Sequence, residues 1–349
     1  MSDSFFPKKT LKKIFKWTTI FILIILVYFL YVLFFPNIFP PKKTRTFLYI
    51  RENTQLKEVV DSLSKNTKVF DIYSFYVASK LLNYESHIKS GRYELQRGMN
   101  NFQLIRKLRS GRQTPVLLTF NNIRKKEDLA HRLSRQLMVD SISIIQLLND
   151  STFLAEYGLN PYNSISIFIP NTYEVFWNIS PEKLFARMYK EYNRFWNEER
   201  RKKAAAIPLT PLEVITLASI VEEETNVEAE RPIVAGVYIN RLKKGMPLQA
   251  DPTLKFAAGN FALRRISGMY LKIDSPYNTY KYKGLPPGPI RLPSPKSINA
   301  VLNYTPHNYL YMCAKETLNG EHNFASNWKE HLQNAKKYRQ ALNKMGIFE

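Results

Sequence analysis

The chain has 349 residues, 45% of them hydrophobic, with 51 Lys and Arg against 29 Asp and Glu, a formal net charge of +22. That length supports two domains of ordinary size, with apolar material for a core in each. A single cysteine, Cys313, excludes an intrachain disulfide and any cysteine-built metal site. The basic residues are scattered and accompany no recognition motif, which argues against nucleic acid. A diffuse positive field suits anionic head groups or a carboxylate-bearing wall polymer.

Residues 1–16 carry Lys8, Lys9, Lys12, Lys13 and Lys16 ahead of Trp17–Phe35, an uncharged run of 19 residues. As a helix the run spans about 28 Å, the thickness of a bilayer core. It ends in Phe34-Phe35-Pro36 with no small-residue cleavage site, so it reads as a retained transmembrane helix, not a signal peptide. The positive-inside rule leaves the N-terminus in the cytoplasm and the rest outside, although Lys42, Lys43 and Arg45 soften the asymmetry. Pro36, Pro40 and Pro41 predict a stiff linker over residues 36–45.

Residues 46–138 show a weak internal repeat. Ile50, Leu95 and Phe120 each close a strand-like run, and apolar residues follow at the same offsets: Val59, Val60 and Leu63, then Leu104, Ile105 and Leu108, then Leu129, Ala130 and Leu133. Each unit reads as a strand, a turn and an amphipathic helix. From about residue 139 the pattern is mainly helical, turning loop-rich after Gly245. The run Glu198–Lys203 reads as a solvated helix end.

The sharpest local signal is Thr210-Pro211-Leu212-Glu213, a capping box with proline at the first helical position. At 100° per residue, Val214, Leu217, Ile220, Val221 and Glu224 share one stripe of the helix that follows, while Glu222 projects to the opposite side. A carboxylate on the buried stripe loses solvation and holds its proton near neutral pH, the condition for a general acid. The alternative is that Glu222-Glu223-Glu224 is a solvated helix end.

Five blocks extend the pattern: Leu217-Ala-Ser-Ile-Val-Glu-Glu-Glu-Thr225 with Glu230-Arg231; Val237-Tyr-Ile-Asn-Arg-Leu242; Gly245-Met-Pro-Leu-Gln-Ala-Asp-Pro-Thr253; Pro276-Tyr-Asn-Thr-Tyr280; and Gly284-Leu-Pro-Pro-Gly-Pro-Ile290. In this order and spacing the chain resembles the YceG-like family, the endolytic murein transglycosylases. Phe168-Ile-Pro-Asn-Thr-Tyr173 matches a further block, with Ile165-Ser166 where many relatives carry Glu-Gly. The resemblance implies an α+β fold: a transmembrane helix, a small LysM-like α/β subdomain around Gly91–Leu95 within residues 46–138, and a mixed α+β catalytic domain over 139–349. It also implies a single-pass protein of the bacterial inner membrane with an extracytoplasmic catalytic domain. Peptidoglycan glycan strands are then the substrate, peptidoglycan synthases are candidate partners, and no cofactor or metal is needed.

In that family the catalytic acid is the glutamate before the threonine of the first block, here Glu224. The resemblance further implies cleavage without water. Glu224 protonates the leaving oxygen, the substrate's N-acetyl group assists, and the C6 hydroxyl closes an anhydro ring. Around it the later blocks supply candidate substrate contacts: Asn240, Arg241, Gln249, Asp251, Thr253, Tyr277, Asn278, Thr279, Tyr280 and His322. Aromatic faces beside amides and hydroxyls in 277–280 suit sugar recognition. Asp251 is equally an N-cap with Pro252 at N1. Arg241 either binds a stem-peptide carboxylate or pairs with Glu230. The proline-rich 284–290 loop reads as a fixed groove wall. Two other functions stay open: a non-catalytic wall-binding scaffold, and a muramidase using two carboxylates, with Asp251 as the second.

Overall fold

The computed structural model describes residues 8–263, 266 and 268–345. Residues 1–7 of the expected cytoplasmic segment, and residues 264, 265, 267 and 346–349 of the expected catalytic domain, lie outside the described residues. The chain forms two compact units, Met1–Val116 with Glu174–Ile179, and Leu117–Tyr173 with Ser180–Glu349.

In the first unit α1 (Lys8–Phe34) leads into β1 (Pro36–Phe39), β2 (Thr46–Ile50), α2 (Leu56–Asn66), β3 (Lys68–Val69), α3 (Ile72–Leu81), β4 (Gly91–Leu95), β5 (Met99–Asn100) and α4 (Asn101–Ser110). α1 is long and apolar enough to cross a membrane, and its side chains are exposed from Lys9 through Leu30. Its last turn belongs to the fold. Val32 and Leu33 are buried in one cluster with Phe75, Leu104 and Ile105. The Val32 carbonyl accepts from the Asn101 amide at 2.8 Å, and the Tyr31 hydroxyl donates to Asp71 at 3.1 Å.

The linker expected over 36–45 is therefore corrected. Pro36–Phe39 is the central strand of a three-stranded sheet ordered β3-β1-β5. Asn37 explains why: it is buried, accepts from the Asp71 N–H at 2.7 Å, and donates to the Asp71 carbonyl at 2.8 Å and to Asn101 Oδ1 at 2.7 Å. A buried amide with its bonding capacity used fixes the backbone around it. Only residues 40–45 remain irregular.

The strand–turn–helix pattern is present. β2 and β4 pair antiparallel from Thr46↔Leu95 to Ile50↔Gly91, and the capping boxes at Gln55 and Asn100 start α2 and α4. Leu48, Val59, Leu63, Tyr93, Leu104 and Leu108 fill the core between them. The third strand–helix pair passes into the second unit, because Phe120 packs on Phe168 and Tyr173. The repeat expected over 46–138 thus straddles the division between units. In exchange the first unit takes in residues 174–179, where Trp177 meets Tyr49 edge-on at 5.0 Å and Asn178 donates to Ser90.

The chain crosses between the units within β6 (Val116–Thr119), within β7 (Thr172–Val175) and again after Ile179. Between those strands lie α5 (Lys126–Ser134), α6 (Ser141–Asn149) and α7 (Ser151–Ala155). After them come α8 (Pro181–Phe195), α9 (Glu198–Ala206), α10 (Pro211–Glu224), α11 (Arg231–Lys243), α12 (Asp251–Ala257), α13 (Gly268–Leu271), α14 (Pro295–Leu302), β8 (Tyr311–Ala314), β9 (His322–Ala325) and α15 (Trp328–Lys344). Helices with small separate sheets make the protein α+β, as expected. α10 is its axis. The capping box closes at Thr210 and Glu213, and every residue from Val214 to Val221 is buried. The expected single stripe is too narrow. α10 packs against α9, α11, α12 and α14, so its Val, Ile, Leu and Ala side chains are covered on all sides. α9 is solvated, with Glu198–Lys202 and Glu199–Lys203 pairs one turn apart.

Candidate active site

The last turn of α10 places three glutamates in three different environments. Glu222 accepts from the Ser294 N–H at 2.7 Å and its hydroxyl at 2.8 Å, which ties α10 to the start of α14. Glu223 takes both nitrogens of the Arg124 fork at 2.9 Å and Arg291 at 2.7 Å. Neither is a solvated helix end. Arg291 also reaches Glu222 at 3.3 Å, so both are structural ion pairs of the kind a closed-in helix terminus requires.

Glu224 is different. It opens onto a cavity of about 270 Å³ and, among the described residues, the one hydrogen bond to its carboxyl group is from the Tyr238 hydroxyl to Oε1 at 2.5 Å. Burial pushes its carboxyl up to about 7; the Tyr238 hydrogen bond works against that rise, and the nearby Asp251 charge adds to it. The Tyr238 hydroxyl is in turn driven well above the ordinary phenol range by burial and by Glu224, so it remains a donor. The second carboxyl oxygen of Glu224 is left to hold a proton.

Six of the residues expected at the site line this one cavity: Glu224, Arg241, Gln249, Asp251, Tyr280 and His322. Two of their readings change. Asp251 does not cap α12; Ala250 holds the cap position and Asp251 is the first helical residue. Its carboxylate accepts instead from the Tyr280 hydroxyl, whose proton burial and Asp251 together hold tightly. Arg241 does not pair with Glu230. It lies buried along α11 and donates to the carbonyls of Leu310 at 2.6 Å and Leu248 at 2.8 Å, and to Gln249 Oε1 at 3.3 Å. Glu230 holds His322 instead, accepting from its backbone N–H at 2.8 Å and its Nδ1 at 2.9 Å.

Four expected residues sit behind the cavity wall. Thr253 and Thr279 are buried and bonded to each other at 2.9 Å, and Thr279 also receives the Ala250 N–H at 3.0 Å. That staple presents Gln249, whose φ of +50° is a left-handed conformation held by its neighbours. Asn278 is fully buried, donating to the carbonyls of Leu271 and Ile273 and accepting from the N–H groups of Tyr280 and Lys281. Asn240 donates to the carbonyls of His307 and Tyr309. Tyr277 leaves the cavity altogether and lines a second one with Phe256 and Tyr162.

Tyr238 is the site residue that local sequence rules do not assign, while Glu230, expected beside Arg241, serves His322. Tyr238 stands three positions before Arg241, one turn away on the same face of α11. That spacing was the available signal. Met312, Cys313 and Ala314 of β8 also line the cavity, and nothing in their residue types marks them.

The profile of the YceG-like family matches residues 48–337. The chain belongs to the YceG-like family. This YceG-like chain is 31% identical over 319 residues to a Bacillus subtilis (strain 168) protein named endolytic murein transglycosylase, covering 85% of each. It is 30% identical over 327 residues to a protein of the same name from Streptococcus pneumoniae (strain D39), covering 82% of this chain and 57% of that one. It therefore spans little more than half the pneumococcal relative's length. A crystal structure of a yceG-like protein from Listeria monocytogenes superposes with a TM-score of 0.54 at 26% identity, covering 84% of this chain and 99% of that one.

Proposed function

We propose that this chain is an endolytic murein transglycosylase, with Glu224 acting first as acid and then as base. α1 anchors it with the N-terminus in the cytoplasm and both units outside the bacterial inner membrane. The first unit holds the LysM-like strand–helix pairs and the second the catalytic machinery. The observation that carries the reading is a carboxyl held at about 7 by burial at the wall of an open polar cavity. Such a group is half protonated near neutral pH, so it both donates and accepts a proton efficiently.

In this reading Glu224 protonates the oxygen leaving the MurNAc–GlcNAc bond. The ionised carboxylate then removes the proton of the C6 hydroxyl of the same muramic acid. That oxygen closes onto C1, giving a 1,6-anhydro end and consuming no water. The single proton returns to Glu224. Tyr238 fixes the carboxyl, and Arg241 and the Thr253–Thr279 staple fix the turn that carries Gln249 and Asp251. The resulting geometry supplies the positioning that acid–base action alone does not.

Asp251 on the same cavity favours one alternative, a muramidase in which a second carboxylate activates water. Its bond from Tyr280 occupies one carboxylate oxygen. Digestion in ¹⁸O water separates the two chemistries. Anhydro ends free of ¹⁸O support the transglycosylase; ¹⁸O-labelled reducing ends support the muramidase.

A further inference from the structure

The second unit holds another cavity, larger at about 610 Å³, whose walls include Tyr162, Phe256, Tyr277 and Lys125. Its aromatic side is continuous. Phe256 and Tyr277 stand 4.6 Å apart by ring centroid, and Tyr277 and Tyr162 6.5 Å apart. Tyr162 is 54% exposed, so it offers a ring face to solvent.

This wall is built, not incidental. A Cβ at Gly288 would overlap the Tyr162 carbonyl, so only glycine lets the 284–290 loop press against that residue. The Tyr277 hydroxyl lies 3.5 Å from the same carbonyl, and the Ile290 N–H donates to Ser219 of α10 at 3.0 Å. A surface fixed before binding loses little entropy when it is occupied.

Its opposite side carries Arg124, Lys125 and Lys126 beside one carboxylate, Glu127, a net positive wall on which two of the three cations are already used. Arg124 is clamped by Glu223, and the Lys126 ammonium donates to the Leu148 carbonyl and to Asn149. Lys125 has no carboxylate partner among the described residues, and its ammonium stands 5.5 Å from the Phe261 ring centroid. A neutral sugar has no use for that charge. A ligand with an apolar ring face and an anionic group uses both sides.

The two cavities sit at opposite ends of α12. Asp251 lines the Glu224 cavity, while Phe256 and Ala257 line this one, about 9 Å further along the helix axis. Tyr280 and Tyr277 of one turn divide between them in the same way. We propose that the second cavity is a distal subsite for the same strand. A saccharide ring stacks on Tyr162 and Tyr277, and a stem-peptide carboxylate meets the Lys125 ammonium. This rests on the glycan-cleaving reading above and gives it a substrate preference: strands that still bear their peptides.

The test uses the full chain carrying Glu224→Gln, so that strands are bound without being cut. Its affinity is measured for uncrosslinked strands with stem peptides and for the same strands stripped by an amidase. The peptide-bearing strands are expected to bind roughly threefold to fivefold tighter. Lys125→Ala removes that difference and leaves the stripped strands unaffected. Tyr162→Ala weakens both by roughly fivefold. Tyr162 is exposed and Lys125 half-buried, and an unchanged Tm certifies the fold of each variant. If neither changes either affinity, the strand does not use this cavity and the proposal is overturned. If the Glu224→Gln protein shortens the strands, the acid assignment is what fails, and chain length shows that separately from binding.

Discussion

A buried acid that serves chemistry costs stability, and Glu224 allows the cost to be computed. Its carboxyl is held at about 7 against an ordinary value of 4.5. Below pH 4 the group is protonated whether the protein is folded or not, and it contributes no pH dependence. Between those two values the folded state binds more proton than the unfolded chain, so stability falls as pH rises. Above pH 7 the ionised folded state bears the whole penalty, about 3 kcal/mol. Glu224→Gln removes the titration and keeps an acceptor for Tyr238. At pH 8 the variant should therefore be more stable by about 3 kcal/mol, a rise of roughly 5–10 °C in Tm for a unit of this size. At pH 4 the difference should vanish. Thermal unfolding of the full chain in detergent, followed by circular dichroism at both values, reads this directly. A variant no more stable at pH 8, or one whose gain is the same at pH 4, would refute the account of Glu224 as a destabilised acid.

Other outcomes follow from the same geometry. Rate should decline above about pH 7 as Glu224 loses its proton, and Tyr238→Phe should move that limb to higher pH, because its hydrogen bond holds the carboxyl down; pH profiles of kcat/KM for the two proteins check this. Arg241→Ala leaves the Leu248 and Leu310 carbonyls unbonded and should cost about 2–4 kcal/mol, measured by urea unfolding. Asn101→Ala removes the donor to the Val32 carbonyl and the partner of Asn37. It should destabilise the first unit by about 1–3 kcal/mol and speed proteolysis within residues 35–45 of the full chain.

The sequence made Glu224 legible because a carboxylate in phase with Val214, Leu217 and Val221 is conspicuous in one dimension. It misjudged the neighbours because α10 is covered all round, which no stripe analysis of one helix reveals. Glu222 and Glu223 then had to find partners in Ser294, Arg124 and Arg291, far away in the chain. The same limit explains Asp251 and Arg241. Local rules proposed a cap and a nearby ion pair, while Tyr280 and the carbonyls of residues 248 and 310 compete from other segments. Pro36, Pro40 and Pro41 suggested a linker. Nothing in their spacing discloses that Asn37 bonds to Asp71 and Asn101 and draws the strand into the fold. Partnerships across tens of residues, not element propensities, were the illegible part.

The most direct measurement is mass spectrometry of uncrosslinked glycan strands incubated with the full chain, wild type beside Glu224→Gln, with the fold of each verified. The account predicts shortened strands with 1,6-anhydro-MurNAc ends from the wild type, and intact strands still bound by the variant. Strands cut equally by both proteins, or left whole by a folded wild type, would contradict it.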